Sequence, residues 1–289
     1  MSVKFLDPER RLPAEPRERI DEAFRLLMNA QHAEADEILR GCVADQDDLV
    51  KAFAHLYLGD IAHFQWDFDP CLEHYQQAVE QFRSLGHDRG RIFTEMRLAD
   101  IYTDQADTSG ENATERMLQA KRQSMDLLDA ASIEAERLQD DFLIAFGHHY
   151  RGLLNIEAGR YEDAMTELQL AVKLRDSIGD DVYGPSSECL LARCMAELDD
   201  CEGGLRLAEE VYLRQMESNL RGPALRTLVN IGYINEKRSL DRMAGLTSQF
   251  TAVEPVAQTP FLDALKRANE MYRGPLVKDL DVQVMALHA

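Results

Sequence analysis

The chain has 289 residues, 45% of them hydrophobic and 29% charged, a balance that buries a core and excludes disorder throughout. Its 52 acidic residues outnumber 32 basic ones, and a net charge of −20 repels nucleic-acid backbones and anionic lipid surfaces, which are bound through Lys and Arg clusters. No stretch approaches the roughly 18 apolar residues of a membrane span, and "MSVKFLDPERRLPAEPRER" has no signal-peptide core, so a cytoplasmic protein with neither nucleic acid nor membrane as partner is expected.

In chain order, a short extension at 1–15 precedes a first unit at about 16–46, in which Ala23, Ala35 and Cys42 are small residues at helix-crossing spacing. The next unit, 47–86, opens its small-residue pattern at Gly59 in "AHLYLGDIAHF". It continues through Cys71 and Ala78, with Tyr75 between them. The third, 87–139, opens at Ala99 and carries Ser124, Leu128 and Ala131; the fourth, 140–179, opens at Gly152 and carries Ala164, Leu168 and Ala171. Ala192 opens the fifth, 180–219, followed by Gly204 and Val211. Gly232 opens the sixth, 220–258, followed by Ala244 and Thr251. Thr259-Pro260 starts a capping helix at 260–273, Gly274-Pro275 stops it, and 274–289 is a tail.

The intervals between openers from Gly59 onward are 40, 53, 40 and 40 residues. A catalytic constellation occurs once, whereas a packing rule has to be repeated, so this spacing is architectural. Small residues let helix backbones approach, and large residues three or four positions away on the same face fill the adjoining space. "QWDFDP", "EAGRY" and "LDDCEGG" mark the turn inside each pair, and "SLGHDRGR" and "SIGDDVYGPSS" the turn between pairs. Without any sustained period-two alternation, the expected fold is all-α, a right-handed superhelical solenoid of antiparallel helix pairs. The interval of 53 places 13 extra residues after Tyr102, at about 103–116. Asn112 and Glu115 have capping-box spacing, which predicts a long helix over 113–138.

Small residue, Gly then aromatic at the turn, Ala, a large residue, Ala: this order, clearest in "YRGLLNIEAGRYEDAMTELQLAV" and "YLGDIAHFQWDFDPCLEHYQQAV", resembles the tetratricopeptide repeat. The usual repeat is about 34 residues. The chain is similar to the longer, roughly 40-residue variety of bacterial signalling proteins, kinesin light chains and spindle-orientation adaptors. The resemblance covers about 16–273 and implies about six repeats plus the C-terminal capping helix, with the first helix of each pair lining a concave groove. The Lys and Asn carboxylate clamp of the family's co-chaperones is absent, because the corresponding positions read Leu56/Asp60, Met96/Asp100, His149/Leu153, Cys189/Arg193 and Val229/Tyr233.

The expected groove is partly acidic. Asp60, Asp100, Asp104, Glu157, Glu197 and Glu236 stand against Arg193 and Lys237, with His63 and His149 beside them. Phe53, Phe93 and Phe146 each fall six residues before an opener, a column that reads either as an apolar ledge for a ligand or as packing between neighbouring helices. Five cysteines without a CxxC pair signal neither disulfides nor zinc. His55, Asp60 and His63 share a helix face but supply at most three ligands, and no phosphate loop or catalytic motif occurs. The expectation is therefore a protein without enzymatic activity, cofactor or metal, and nothing indicates homo-oligomerisation. It is expected to be a scaffold that binds a basic or amphipathic peptide or helix. The alternative is a regulatory sensor of bacterial type that binds a signalling peptide and acts in trans.

Overall fold

In the computed structural model residues 6–104 and 113–247 are described, with side chains over 6–102 and 115–239. The described residues form eleven helices and no strand. They are α1 (Ala14–Met28), α2 (His32–Val43), α3 (Asp48–Phe64), α4 (Phe68–Ser84), α5 (Asp88–Asp104), α6 (Ala113–Arg137), α7 (Asp141–Glu157), α8 (Tyr161–Ile178), α9 (Gly184–Glu197), α10 (Cys201–Glu217) and α11 (Arg221–Thr247). Each helix packs on the next. In addition α1 touches α3, α3 touches α5, and so on to α9 with α11. The odd-numbered helices therefore form the inner wall of a solenoid of helix pairs, and the even-numbered helices its outer layer.

The recurring spacing has a direct physical meaning. A methyl group on Gly152 would stand 2.6 Å from Leu168, and one on Gly59 would overlap the Tyr75 ring, so the large residue sixteen positions on packs straight onto the small opener. Gly204, twelve after Ala192, faces the Ala192 carbonyl oxygen and lies 3.3 Å, measured from an added methyl carbon, from the Ala196 amide nitrogen. Backbone meets backbone there, and no rotamer change relieves an added methyl. Gly204→Ala is expected to cost about 2–3 kcal/mol, read as a lowered urea midpoint; an unchanged midpoint would mean that α9 and α10 slide apart freely.

The turns repeat as regularly. Ala30, Trp66, Gly159 and Asp199 all have left-handed φ, between 58° and 70°, and each lies seven residues after its opener. Gly86, Gly179 and Asn219 repeat this twenty-seven after theirs, and Gln139 does so once the 13 inserted residues are counted. A side chain costs about 1–2 kcal/mol in this region, so the reversal is imposed by helix packing even where glycine is missing. The inner helices end five residues past their openers, at Met28, Phe64, Asp104, Glu157 and Glu197. By contrast, α11 continues from Gly232 through Thr247. The turn expected within 220–258 does not occur by Thr247, because Ser239, at the reversal position, remains helical.

Two further features shape the inner space. Leu6 and Leu12 of the N-terminal extension are buried in the main core, and Asp7 anchors the extension by accepting from the Arg11 and Leu12 amides and pairing with Arg17 at 2.5 Å. At the other end α11 reaches α1, where Gly222 lies close to the Leu27 and Met28 carbonyls. The array thus bends until its last described helix meets its first. The long α6 carries exposed Leu118, Met125 and Ile133 on its outer side. The capping helix expected at 260–273 and the tail at 274–289 lie outside the described residues.

Candidate functional site: the inner face

On an inner helix, positions i, i+4, i+7 and i+11 share one face. Reading this stripe along α3, α5, α7, α9 and α11 gives Phe53, Tyr57, Asp60, Phe64; Phe93, Arg97, Asp100, Asp104; Phe146, Tyr150, Leu153, Glu157; Ser186, Leu190, Arg193, Glu197; and Arg226, Asn230, Tyr233, Lys237. The first layer is the phenylalanine column. Phe53, Phe93 and Phe146 have 2% exposure or less. Phe93 and Phe146 meet edge to face at 4.8 Å, and Tyr183 packs on Phe146 at the same centroid distance while also facing Phe24, Phe93 and Phe142. The column is packing, and it offers no ledge to a ligand.

The second and third layers are polar and cross-linked. Asp60 is 2% exposed; it accepts from the Tyr75 hydroxyl at 2.5 Å and from Nε of Arg97 at 3.0 Å, with Nη2 of Arg97 bonded to the same oxygen. Arg97 in turn donates to the Tyr150 hydroxyl at 3.1 Å. One buried carboxylate therefore joins α3, α4, α5 and α7. Burial pushes the Tyr75 pKa well up and holds its proton on the phenol, where it serves Asp60. The expectation that Asp60 faces a ligand is corrected here: its charge is already matched inside the protein.

His149 is half-buried with Nδ1 2.9 Å from the Ser187 hydroxyl. Burial first, and then Arg175, Arg97 and Arg226, push its pKa well below the ordinary histidine value, so it is a neutral group at physiological pH. Glu197 accepts from the Tyr233 hydroxyl and lies 3.7 Å from the Lys237 ammonium. His63 and Asp100 are half-buried and Glu157 is exposed; Asp104 ends α5, and its side chain lies outside the described residues. Arg193 is half-buried with its guanidinium 4.7 Å from the Tyr233 ring centroid. His55 lies 3.0 Å from His74 rather than joining Asp60 and His63. No group of three or more metal-ligating side chains occurs among the described residues.

The structure brings in residues that the groove rule did not select: Arg97, Tyr150 and Tyr75 in the Asp60 network, and Arg175 and Arg226. Arg175 is 1% exposed and lies 4.2 Å over the Phe146 ring and 3.8 Å from Asp180; burial pushes its pKa down to about 10. Arg226 occupies the column position that holds phenylalanine in three earlier repeats. That departure is legible in the sequence, six residues before Gly232.

No family model and no curated protein matches this chain. Among solved structures it is similar to a signal transduction ATPase with numerous domains that carries a tetratricopeptide repeat sensor, from Pyrococcus horikoshii. The TM-score is 0.45 and the identity 11%, over 95% of this chain and 44% of that one. The chain thus spans less than half the length of that protein.

Proposed function

We propose that this chain is a non-enzymatic interaction module that holds a peptide or an amphipathic helix against its inner face. The observation that carries this reading is the stripe itself. Inner helices present half-buried and exposed polar groups of that stripe, Asp100, Glu157, Arg193, Asn230 and Arg226, on a wall made rigid by hydrogen bonds between those same helices. Preorganised polar groups on rigid elements lower the ordering cost of binding. A basic or amphipathic partner suits a chain of net charge −20, although Asp60 and Glu197 are engaged inside the protein. A second reading, a regulatory sensor acting in trans, draws on the meeting of α11 with α1, because a ligand that changes curvature would part or tighten that contact.

Hydrogen exchange on the full chain with peptides selected from a random dodecapeptide display library tests the reading. Binders of micromolar Kd, worth about 8 kcal/mol, are expected to slow exchange on α5, α7, α9 and α11. Binders that protect only α4, α6 and α8, or a library that yields none, would refute it.

A further inference from the structure

The outer layer of the array carries one face that its neighbours do not repeat. Helices α4 and α8 each begin nine residues after their openers, at Phe68 and Tyr161; with the 13 inserted residues counted, the same rule would start α6 at Lys121, but it starts at Ala113. The eight additional residues lengthen it by roughly 12 Å, at about 1.5 Å per residue. Along its solvent side Leu118, Met125 and Ile133 are 51%, 48% and 64% exposed, with exposed Arg122 and Asp129 between them. At about 100° per residue these five side chains fall within roughly 80° of arc, in one stripe about 22 Å long.

The stripe departs from the repeat in its residues as well as its length. Counted from the openers, the position of Arg122 is held by Asp69 in α4, Glu162 in α8 and Glu202 in α10, and that of Ile133 by Glu80, Lys173 and Leu213. Thus α6 places a cation where these outer helices place an acid, and a large apolar side chain where two of them place a charge. The exposed Leu170 of α8 and Leu213 of α10 stand one to a helix, as on any protein surface. Three such side chains in one line, on one helix, mark an interaction face.

We propose that this face binds a second copy of the chain, α6 against α6, antiparallel about a two-fold axis that passes between Met125 and Asp126. The order of residues along the stripe argues for this occupant. About that centre Leu118 stands at the height of Ile133 of the second copy, and Arg122 at the height of Asp129, so the stripe is complementary to itself in both apolar character and charge. The two-fold makes each contact twice, with the Met125 pair beside the axis. Parallel alignment would instead set Arg122 on Arg122 and Asp129 on Asp129. Asp129 is 60% exposed, with Arg151 3.4 Å away, and a carboxylate can accept from both arginines. The two Arg–Asp pairs oppose, at short range, the repulsion between chains of net charge −20. One helix face is small beside the roughly 1,600 Å² of a standard complex, so association in the micromolar range is expected. The inner helices take no part in it, and the proposal stands apart from the inner-face reading.

Sedimentation velocity of the full chain from 1 to 200 μM tests this, and monomer is expected to give way to dimer across that range. Arg122→Glu and Asp129→Arg each bring like charges together and are expected to weaken dimerisation at least tenfold. In an equimolar mixture of the two variants every Arg122–Asp129 contact again joins opposite charges, so the mixture is expected to dimerise like the unaltered chain, a recovery that impaired folding cannot imitate. Oxidation of Met125→Cys is expected to link two copies, whereas Leu118→Cys, about 22 Å along the axis from its own symmetry mate, is not; the five native cysteines are buried. A dimer indifferent to the charge changes, or one linked through Leu118→Cys in preference to Met125→Cys, would overturn the proposal. A chain still monomeric at 200 μM would overturn it as well, and maleimide labelling of Met125→Cys would then name the occupant. Blocked labelling would assign the face to another segment of the same chain, and free labelling to a different protein.

Discussion

Asp60→Ala is expected to destabilise the folded chain by about 3–5 kcal/mol, the usual consequence of removing one partner from a buried ion pair. The large value follows from what remains behind. Arg97, with 12% of its side chain exposed, would keep only its bond to Tyr150 among the described residues, and the Tyr75 hydroxyl would lose its Asp60 acceptor. In a helical array stability depends on the interfaces between successive repeats; Asp60 touches groups of α4 and α5 and is linked through Arg97 to α7. Removing both charges should cost much less than removing the acid alone. Asp60→Ala/Arg97→Met is therefore expected to recover at least 2 kcal/mol relative to the single variant, and Tyr75→Phe alone to cost about 1 kcal/mol. Urea unfolding of the four proteins at one pH measures this. A double variant no more stable than Asp60→Ala would show that Arg97 is not the stranded group.

What the sequence reveals about this fold is local, and what it conceals depends on curvature. The pairing of Gly152 with Leu168, and of Gly59 with Tyr75, is written in the size of residues sixteen apart. The reversals are only partly written. Gly159 announces its left-handed turn, but Ala30, Trp66 and Gln139 adopt the same conformation without any residue preference to betray them. The phenylalanine column was ambiguous for a physical reason. Its position lies on the face that lines the inner space, and the same face packs on the next inner helix wherever the solenoid is tightly wound. Tyr183, from the turn before α9, fills that space. The closure of α11 onto α1 brings together Gly222 and Met28, and Arg226 and Phe64. These contacts arise from small rotations accumulated over successive pairs, and no spacing rule encodes their sum. The extended α11 is legible in retrospect, because Arg238, Ser239 and Leu240 contain no turn-forming glycine, asparagine or aspartate.

The stability of this chain is expected to fall steeply between pH 6.5 and about 4, and histidines are the cause. Burial pushes His32 down to about 4, assisted by the Arg226 charge. Burial likewise pushes His55 down to about 4, assisted by His74. His149, His74 and His87 are also lowered, each chiefly by burial. In the unfolded chain all five titrate near 6.5. Between 6.5 and about 4 the unfolded state therefore binds more protons than the native state, and stability decreases as pH falls through this window. A shift from 6.5 to about 4 corresponds to about 3 kcal/mol for each of His32 and His55. The acidic residues oppose this only at the lower end, because most carboxylates begin to take up protons below about pH 5, where relief of the −20 charge favours the compact state. The histidine effect should thus be cleanest from pH 7 to 5. Urea midpoints measured across that range should decline, and His32→Gln and His55→Gln should each flatten the slope by a fraction of one proton, lowering stability at pH 5 by less than they lower it at pH 7. A midpoint constant from pH 7 to 5, or a slope unaltered in both variants, would place the acid sensitivity elsewhere. Loss of structure in this window would also expose the inner face, since His32, near the Phe64–Arg226 stack, and His149 both border it.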